Sequence, residues 1–380
     1  MEYQFLLRSC AVSALVNAAH PGSRPARSAV VFKLDHLGDL LTAVPALFAL
    51  RRTRPDARIT LVVGRWCAEF AREFLPVDEV AVYDSPTFDR DAERRGGGDV
   101  ASLRSALPAS FDVAFGLRDD PATLTFSLRG GCRHRRDRGT VRLADRARRA
   151  ARTLAGGADP GPLSERATNL RIVDASERDV PDGPLIRPRP EDTARVRSDI
   201  EAITGGAASP LVVIHPGAAW EHKRWPAERH AALARNLTRD LGATVFVTGS
   251  RDERELAEQL MIDGVRGRSV AGEYDLALMV ALLGAADAYI GADTGITHLA
   301  ALTGTPVVVL FGPGDPRRFG PPGADDVVVY HRQDCSPCPQ TLCDRDGVCM
   351  RAITVSEVET AVHRVLTTPS HATTAQESGS

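Results

Sequence analysis

Lysine is nearly missing from this sequence. Of its 47 basic side chains only Lys33 and Lys223 are lysine, and arginine fills every other position. An ammonium is a compact point charge and a guanidinium a planar fork, so the two do not interchange where geometry is tight. Two positions spared by the drift to arginine are therefore candidates for function. An excess of one charge is missing too: a net charge of −2 gives no global case for a nucleic-acid partner. No stretch approaches the ~18 apolar residues that a membrane span needs. No strand is followed by G-x-G-x-x-G, and G-x-x-x-x-G-K-[ST] does not occur. That removes the dinucleotide fingerprint of dehydrogenases and the Walker loop. The seven cysteines read as mostly reduced thiols of a cytoplasmic protein. The N-terminal "FLLRSCAVSALVNAA" has an arginine inside its apolar stretch and no basic region before it. It reads as a short helix rather than a cleaved signal peptide.

With 43% hydrophobic and 25% charged residues, the 380-residue chain is an ordinary globular protein. Its length allows about two to three domains. From Ser28, "SAVVFKLDHLGDLLTAVPALFALRRTRPDARITLVVG" reads as a strand, a turn, a helix ending near Arg54 and a second strand. That is the β-α-β signature of a parallel sheet. Strands follow at "EVAVYD" and "FDVAFG", then a helix at "PATLTFSLRGG". Residues 129–152 carry ten arginines against two aspartates, and such a run is normally a solvated helix face. Residues 156–190 are rich in Gly, Pro and charge, so few regular elements are expected there. A second alternating series begins at "SPLVVIHPG" and continues with helices at 226–241, 252–262, 275–285 and 295–303. The expected architecture is α/β: two doubly wound Rossmann-like domains facing a cleft. Its parts are an N-terminal extension (1–27), a first domain (28–190) and a second (191–354), then a helix (355–367) and a polar, disordered tail.

Three loops that follow strands carry the candidate chemistry. In open parallel sheets, ligands bind beyond the carboxyl ends of the strands. "GADTGITHLAALTGTPVVVLFGP" places Asp293, Thr294, Gly295 and His298 at such an end, where a helix N-terminus attracts phosphate. Asp293 would orient these donors or cap the helix. An ordinary helix cap would need no more than Asp-Thr-Gly. "HPGAAWEHKRWP" offers the small Gly217 and Ala218 for close main-chain approach and Lys223 as a point charge. In "KLDHLGDLLTAVPAL", Gly38 permits a tight turn and Asp39 begins a helix, as a cap or as a general base.

Together these motifs resemble the heptosyltransferase family, glycosyltransferase family 9 of the GT-B fold, over most of residues 28–366. The resemblance implies an inverting transfer of a heptose from ADP-heptose to an acceptor hydroxyl, with no metal or other cofactor required. It implies catalytic roles for Asp39, as the base, and for Lys223, on the diphosphate. Gly217, Ala218, Asp293, Thr294, Gly295 and His298 would form the nucleotide-sugar loops, with Glu253 near the ribose and Tyr274 beside the adenine. Acceptor contacts would fall to Lys33, His36, Arg118, Asp119 and Asp120. The arginine run could add to these if the acceptor is phosphorylated, with a peripheral membrane contact as a further partner. The acceptor itself could be a lipopolysaccharide-core-like glycan or a small molecule. Another nucleotide sugar, or a non-catalytic nucleotide-sugar-binding protein, are the competing readings. Finally, Cys335, Cys338, Cys343 and Cys349 lie within fifteen residues. They could hold zinc or an iron–sulfur cluster, although the resemblance favours a structural role, as reduced or locally bridged thiols.

Overall fold

The computed structural model describes residues 26–85, 87–88, 100–105, 107–118, 132–159, 161–261, 264–338 and 342–367. The helix expected in the N-terminal extension, the one expected at 121–131, Asp119, Asp120 and the tail all lie outside them. The chain divides after Leu185 into two compact units.

The first unit holds strands β1 (Ser28–Phe32), β2 (Arg58–Val63), β3 (Glu79–Val82), β4 (Phe111–Gly116) and β5 (Cys132–Asp137). Its helices are α1 (Leu37–Thr53), α2 (Arg65–Phe74), α3 (Val100–Ser105), α4 (Arg138–Leu154) and α5 (Glu165–Ile172). The sheet is wholly parallel in the order β3-β2-β1-β4-β5. Val31 stands opposite both Leu61 and Phe115. Its central strand is buried on both faces, as a helix-covered parallel sheet requires.

In the second unit the strands are β6 (Leu211–His215), β7 (Thr244–Val247), β8 (Gly267–Ser269), β9 (Ala288–Ala292), β10 (Val307–Phe311) and β11 (Val327–Tyr330). The helices are α6 (Pro190–Thr204), α7 (Ala227–Leu241), α8 (Arg254–Glu258), α9 (Leu276–Ala285), α10 (Gly295–Leu302), α11 (Pro316–Phe319), α12 (Val348–Ala352) and α13 (Val355–Thr367). The order β11-β10-β9-β6-β7-β8 is again wholly parallel. The final helix α13 is no appendage: Val358, Ala361, Val362 and Val365 sit in the same core as the sheet. In each unit the chain starts mid-sheet, winds outward, then crosses back to wind the other way. The reversal falls between β1 and β4, and between β6 and β9.

One expectation needs correction, that of the helix at 252–262. Residues 156–190 do hold few regular elements: the helix α5, which Ser164 starts by accepting a hydrogen bond from the Ala167 amide, and a 3-10 turn at Glu177–Asp179. The stretch joining the units carries α6, with Pro190 in its first turn and Gly205 closing it in the left-handed region. The helix expected at 252–262 is only a 3-10 turn followed by five residues of α8.

The arginine run divides between two roles. Its first part forms β5 and the start of α4, where Arg135 pairs with Asp137 at 3.2 Å, out of solvent. Arg136 donates to the Arg171 and Ile172 carbonyls that end α5. Arg138 is fully buried; its fork grips Glu165 at 2.6 and 2.9 Å and the Leu117 carbonyl at 3.2 Å. From Arg142 onward α4 is mostly exposed. Removing one partner of a buried pair strands the other charge, so Arg138→Ala should lose about 3–5 kcal/mol of unfolding free energy. The double change Arg138→Met with Glu165→Leu should recover most of it in urea unfolding. Equal losses in both variants would contradict this account of the pair.

A second buried titratable group sits in the other core. His230 packs edge-on to Trp225, with ring centroids 4.8 Å apart, and neither ring nitrogen has a hydrogen-bond partner. Burial pushes its pKa from 6.5 down to about 4. The unfolded chain therefore takes up a proton near pH 6.5 that the folded chain refuses until about pH 4. The stability contributed by neutral His230 is complete above pH ~6.5 and falls as pH drops toward ~4, by on the order of 3 kcal/mol. Denaturant unfolding of the wild type and His230→Leu across this range should show the wild type losing more. Parallel pH profiles would contradict it.

Candidate active site

The best-defined group of candidate side chains lies where β6 and β9 run side by side at the reversal of the second sheet, with His215 in register with Gly291. The loop after β6 brings in Lys223 and the loop after β9 brings in Asp293. Lys223 Nζ lies 3.2 Å from Asp293 Oδ2 and 3.4 Å from the Asp293 carbonyl oxygen. His298 Nε2 stands 3.8 Å from the other oxygen, Oδ1. One carboxylate thus sits between an ammonium and an imidazole. Lys223 is no solvated surface base, since it is mostly enclosed and committed to this pair. Nor does Asp293 cap α10: Thr294 is the N-cap residue and makes no side-chain cap bond.

The start of α10 is fixed to β9 from below. Thr297 Oγ1 donates to the Ala292 carbonyl and lies 3.2 Å from the buried Tyr289 hydroxyl. The first-turn amides of such a helix have no intrahelical acceptor and carry the positive end of its dipole. Asp293, Thr294, Gly295 and His298 are partly buried around them. Gly314, in the loop after β10, passes so close that a Cβ there would come within 2.9 Å of Asp293 Oδ2.

Beside this group, Glu253 closes a 3-10 turn, with Oε2 accepting the Ser250 amide at 2.8 Å. Burial pushes its carboxyl up, but the Ser250 hydrogen bonds and nearby His215 outweigh that and hold it below the usual range. His215 is buried at the end of β6, with Nδ1 3.1 Å from Thr248 Oγ1, and burial lowers its pKa. Ala218 is buried and its carbonyl accepts from Arg224 at 3.1 Å. Tyr274 enters a different network: its hydroxyl donates to Asp199 of α6 at 2.5 Å. Trp220 is a residue that sequence reasoning passed over. It is 42% exposed in the lysine loop and stacks toward His222 at 6.1 Å, and an open tryptophan in a small-residue loop was the available signal.

The first unit repeats the arrangement at its own reversal, β1 beside β4. Lys33 is only 1% exposed and its Nζ lies 2.9 Å from Asp35 Oδ2. Arg118, from the loop after β4, approaches the same oxygen at 3.5 Å and covers the Phe88 ring at 5.5 Å. Burial raises the Asp35 pKa even against these two cations, and Asp35 Oδ1 has no partner. The expectation that Lys33 meets an acceptor directly therefore changes: it lies beneath the surface and holds Asp35. Asp35 itself was missed, although an acid two residues from the lone lysine of "KLD" was readable. His36 is exposed and tilts against Trp66 at 5.8 Å. It occupies the N-cap position of α1, so the half-exposed Asp39 sits in the first turn and is not the cap.

Cys335, Cys338, Cys343 and Cys349 are free thiols. The Cys338 amide donates to the Pro313 carbonyl at 3.0 Å, docking this loop onto the one after β10. Among the described residues no group of three or more His, Cys, Asp or Glu is arranged to hold a metal ion.

Two Rossmann-like units, each with its polar residues gathered at the sheet reversal, define the GT-B class of glycosyltransferase folds. Residues 182–348 match glycosyltransferase family 9 (heptosyltransferase). Lipopolysaccharide heptosyltransferase 1 of Pseudomonas aeruginosa is 31% identical over 157 residues, 41% of this chain and 44% of that protein. The matched stretch thus spans less than half of that relative. Among solved structures, a family 9 glycosyl transferase from Veillonella parvula superposes with a TM-score of 0.69 at 20% identity, covering 90% of this chain and 97% of that one. The E. coli heptosyltransferase WaaC with ADP-2-deoxy-2-fluoro heptose does so at 0.60 and 18%, covering 88% and 99%. At these identities the structural likeness speaks for the fold.

A Cβ added at Gly217 would fall 2.1 Å from Glu253 Oε1, at the far end of a side chain whose other oxygen accepts the Ser250 amide. Gly217→Ala should therefore displace that carboxylate yet keep the unfolding free energy within about 1 kcal/mol of wild type. A loss above about 3 kcal/mol in denaturant unfolding would mean that the carboxylate is locked into the fold.

Proposed function

We propose that the protein transfers a heptose from ADP-heptose to an acceptor hydroxyl, with inversion at the anomeric carbon and no metal taking part. The observation that carries this reading is the Lys223–Asp293–His298 group at the tip of α10, with Glu253 nearby. A departing diphosphate gains charge as the sugar–oxygen bond breaks. Lys223, the α10 amides and His298 would meet that charge with donors already in place, and one such donor is typically worth about 10²–10³ in rate. Asp293 would hold the ammonium and imidazole apart and aimed. The Glu253 carboxylate would accept from ribose hydroxyls, Tyr274 would lie by the base, and Gly217 and Ala218 would let the main chain close on the diphosphate.

The first unit would supply the base. Asp39 takes the acceptor hydroxyl proton as the oxygen attacks the anomeric carbon, the bond to phosphate breaks, and ADP leaves with the electron pair. His36 and Arg118 would contact the acceptor, with Lys33 and Asp35 supporting Arg118 from beneath. The acceptor would be a glycan or small molecule, and the reaction would take place in the cytoplasm. Among the described residues no helix is long and apolar enough to cross a membrane.

Asp39→Asn should lower kcat by about 10²–10⁴ and leave ADP binding unchanged. Near-normal transfer by this folded variant would end the base assignment. ADP at a hundred times its dissociation constant should add about 2.7 kcal/mol of stability, read by thermal unfolding against UDP and GDP. Stabilisation by UDP alone would overturn the donor.

A further inference from the structure

We propose that the transferred sugar of the donor rests on the indole of Trp220, which makes this residue a determinant of donor choice. The inference rests on the reading of Lys223 as the ammonium at the diphosphate. The chain has three tryptophans, and two of them are built into the fold. Trp66 donates its indole N–H to the Asp35 carbonyl at 2.9 Å, and Trp225, only 2% exposed, donates to the Ile353 carbonyl at 3.0 Å. Trp220 does neither. It is 42% exposed, and its N–H has no partner among the described residues. A tryptophan serves a fold by burying its large apolar body and pairing its N–H. Left open on both counts, this one contributes little to the second unit.

The residue is nonetheless held in place. Trp220 precedes the 3-10 turn Glu221–Lys223, and its carbonyl accepts the Lys223 amide at 3.0 Å. The Arg224 amide donates to the Glu221 carbonyl at 2.8 Å, and the Arg224 side chain donates to the Ala218 carbonyl at 3.1 Å. These bonds brace the loop on both sides of Trp220. At the far end of the turn, Lys223 is tied to Asp293. The His222 imidazole stacks toward the indole at 30°, with centroids 6.1 Å apart, so part of the ring is backed and the rest is open. An open aromatic ring is thus fixed on the same turn as the ammonium.

A nucleotide sugar offers such a ring two surfaces, its base and its sugar, and the sugar fits better. Glu253, assigned above to the ribose, adjoins Gly217 at the start of this loop. Trp220 instead shares its turn with the lysine assigned to the diphosphate, the group to which the transferred sugar is bonded. The electron-rich face of an indole attracts the electropositive C–H groups of a pyranose. Hydroxyls around the rim of that pyranose give the in-plane N–H an acceptor. A base stacked on the ring would leave the N–H unpaired.

Calorimetry with ADP and with ADP-2-deoxy-2-fluoro heptose, on the full-length wild type, Trp220→Ala and Trp220→Phe, tests it. Trp220→Ala should bind ADP as tightly as the wild type and the sugar-bearing analogue about tenfold more weakly. Trp220→Phe keeps a ring face and loses the N–H, so it should bind the analogue within about threefold of the wild type. Both variants should unfold at the wild-type temperature, because the ring is open. The analogue should also change tryptophan emission beyond the effect of ADP in the wild type, and this further change should vanish in Trp220→Phe. Equal weakening toward ADP and the analogue would put the ring at the nucleotide, and undiminished binding of the analogue by Trp220→Ala would take it out of the site. Either result overturns this inference and leaves the donor reading standing. Binding of neither compound by the wild type would remove the donor reading, and this inference with it.

Discussion

The candidate site of the second unit depends on one contact, the 3.2 Å pairing of Lys223 with Asp293. It joins two loops separated by 70 residues of sequence, and it exists because β6 and β9 are neighbours although β7 and β8 come between them in the chain. A parallel sheet that reverses its winding leaves the loops of its two central strands diverging at their carboxyl ends, and a crevice opens there. Asp293 uses both oxygens across that crevice, one toward the ammonium and one toward His298. The helix tip stands beside them, fixed from below by Thr297 and Tyr289. Everything assigned to the donor follows from this placement.

The same constraint acts in the first unit with a different outcome. There too the central strands are neighbours across a crossover, and there too a lysine pairs with an aspartate at the strand end. Lys33 and Asp35, however, are buried where Lys223 and Asp293 are partly open. The buried pair serves as a foundation on which Arg118 is held, and the open one is able to face a ligand. At both sites the lysine acts as a point charge on an aspartate. A guanidinium fork fits neither the closed space at the end of β1 nor a point contact shared between a side-chain oxygen and its own carbonyl.

Much of this was legible in the sequence, and the reasons are physical. The central strands of both sheets are short apolar runs ending in polar loops, so β1, β2, β4, β6, β9 and β10 announced themselves by hydrophobicity. The site residues were readable because they directly follow those strands. What stayed hidden was built by other means. The strand "CRHRRD" of β5 reads as a charged run, because its arginines are buried through ion pairs and carbonyl contacts rather than through apolar surface. The helix α5 owes its place partly to the Arg138–Glu165 bridge, which pairs residues 27 positions apart. Asp35 was missed because the burial of a charge beside a lysine is a property of packing. Asp39 was read as a possible cap, whereas the turn itself hands that position to His36.

The most direct test of the central claim is the affinity for ADP measured by calorimetry in the wild type and in Lys223→Ala. A charged hydrogen bond to the diphosphate is worth about 1.5–3 kcal/mol, so the variant should bind ADP roughly 10- to 100-fold more weakly while unfolding at nearly the same temperature. An unchanged dissociation constant would mean that the ammonium does not face the nucleotide, and the assignment of the second unit as the donor site would fall with it.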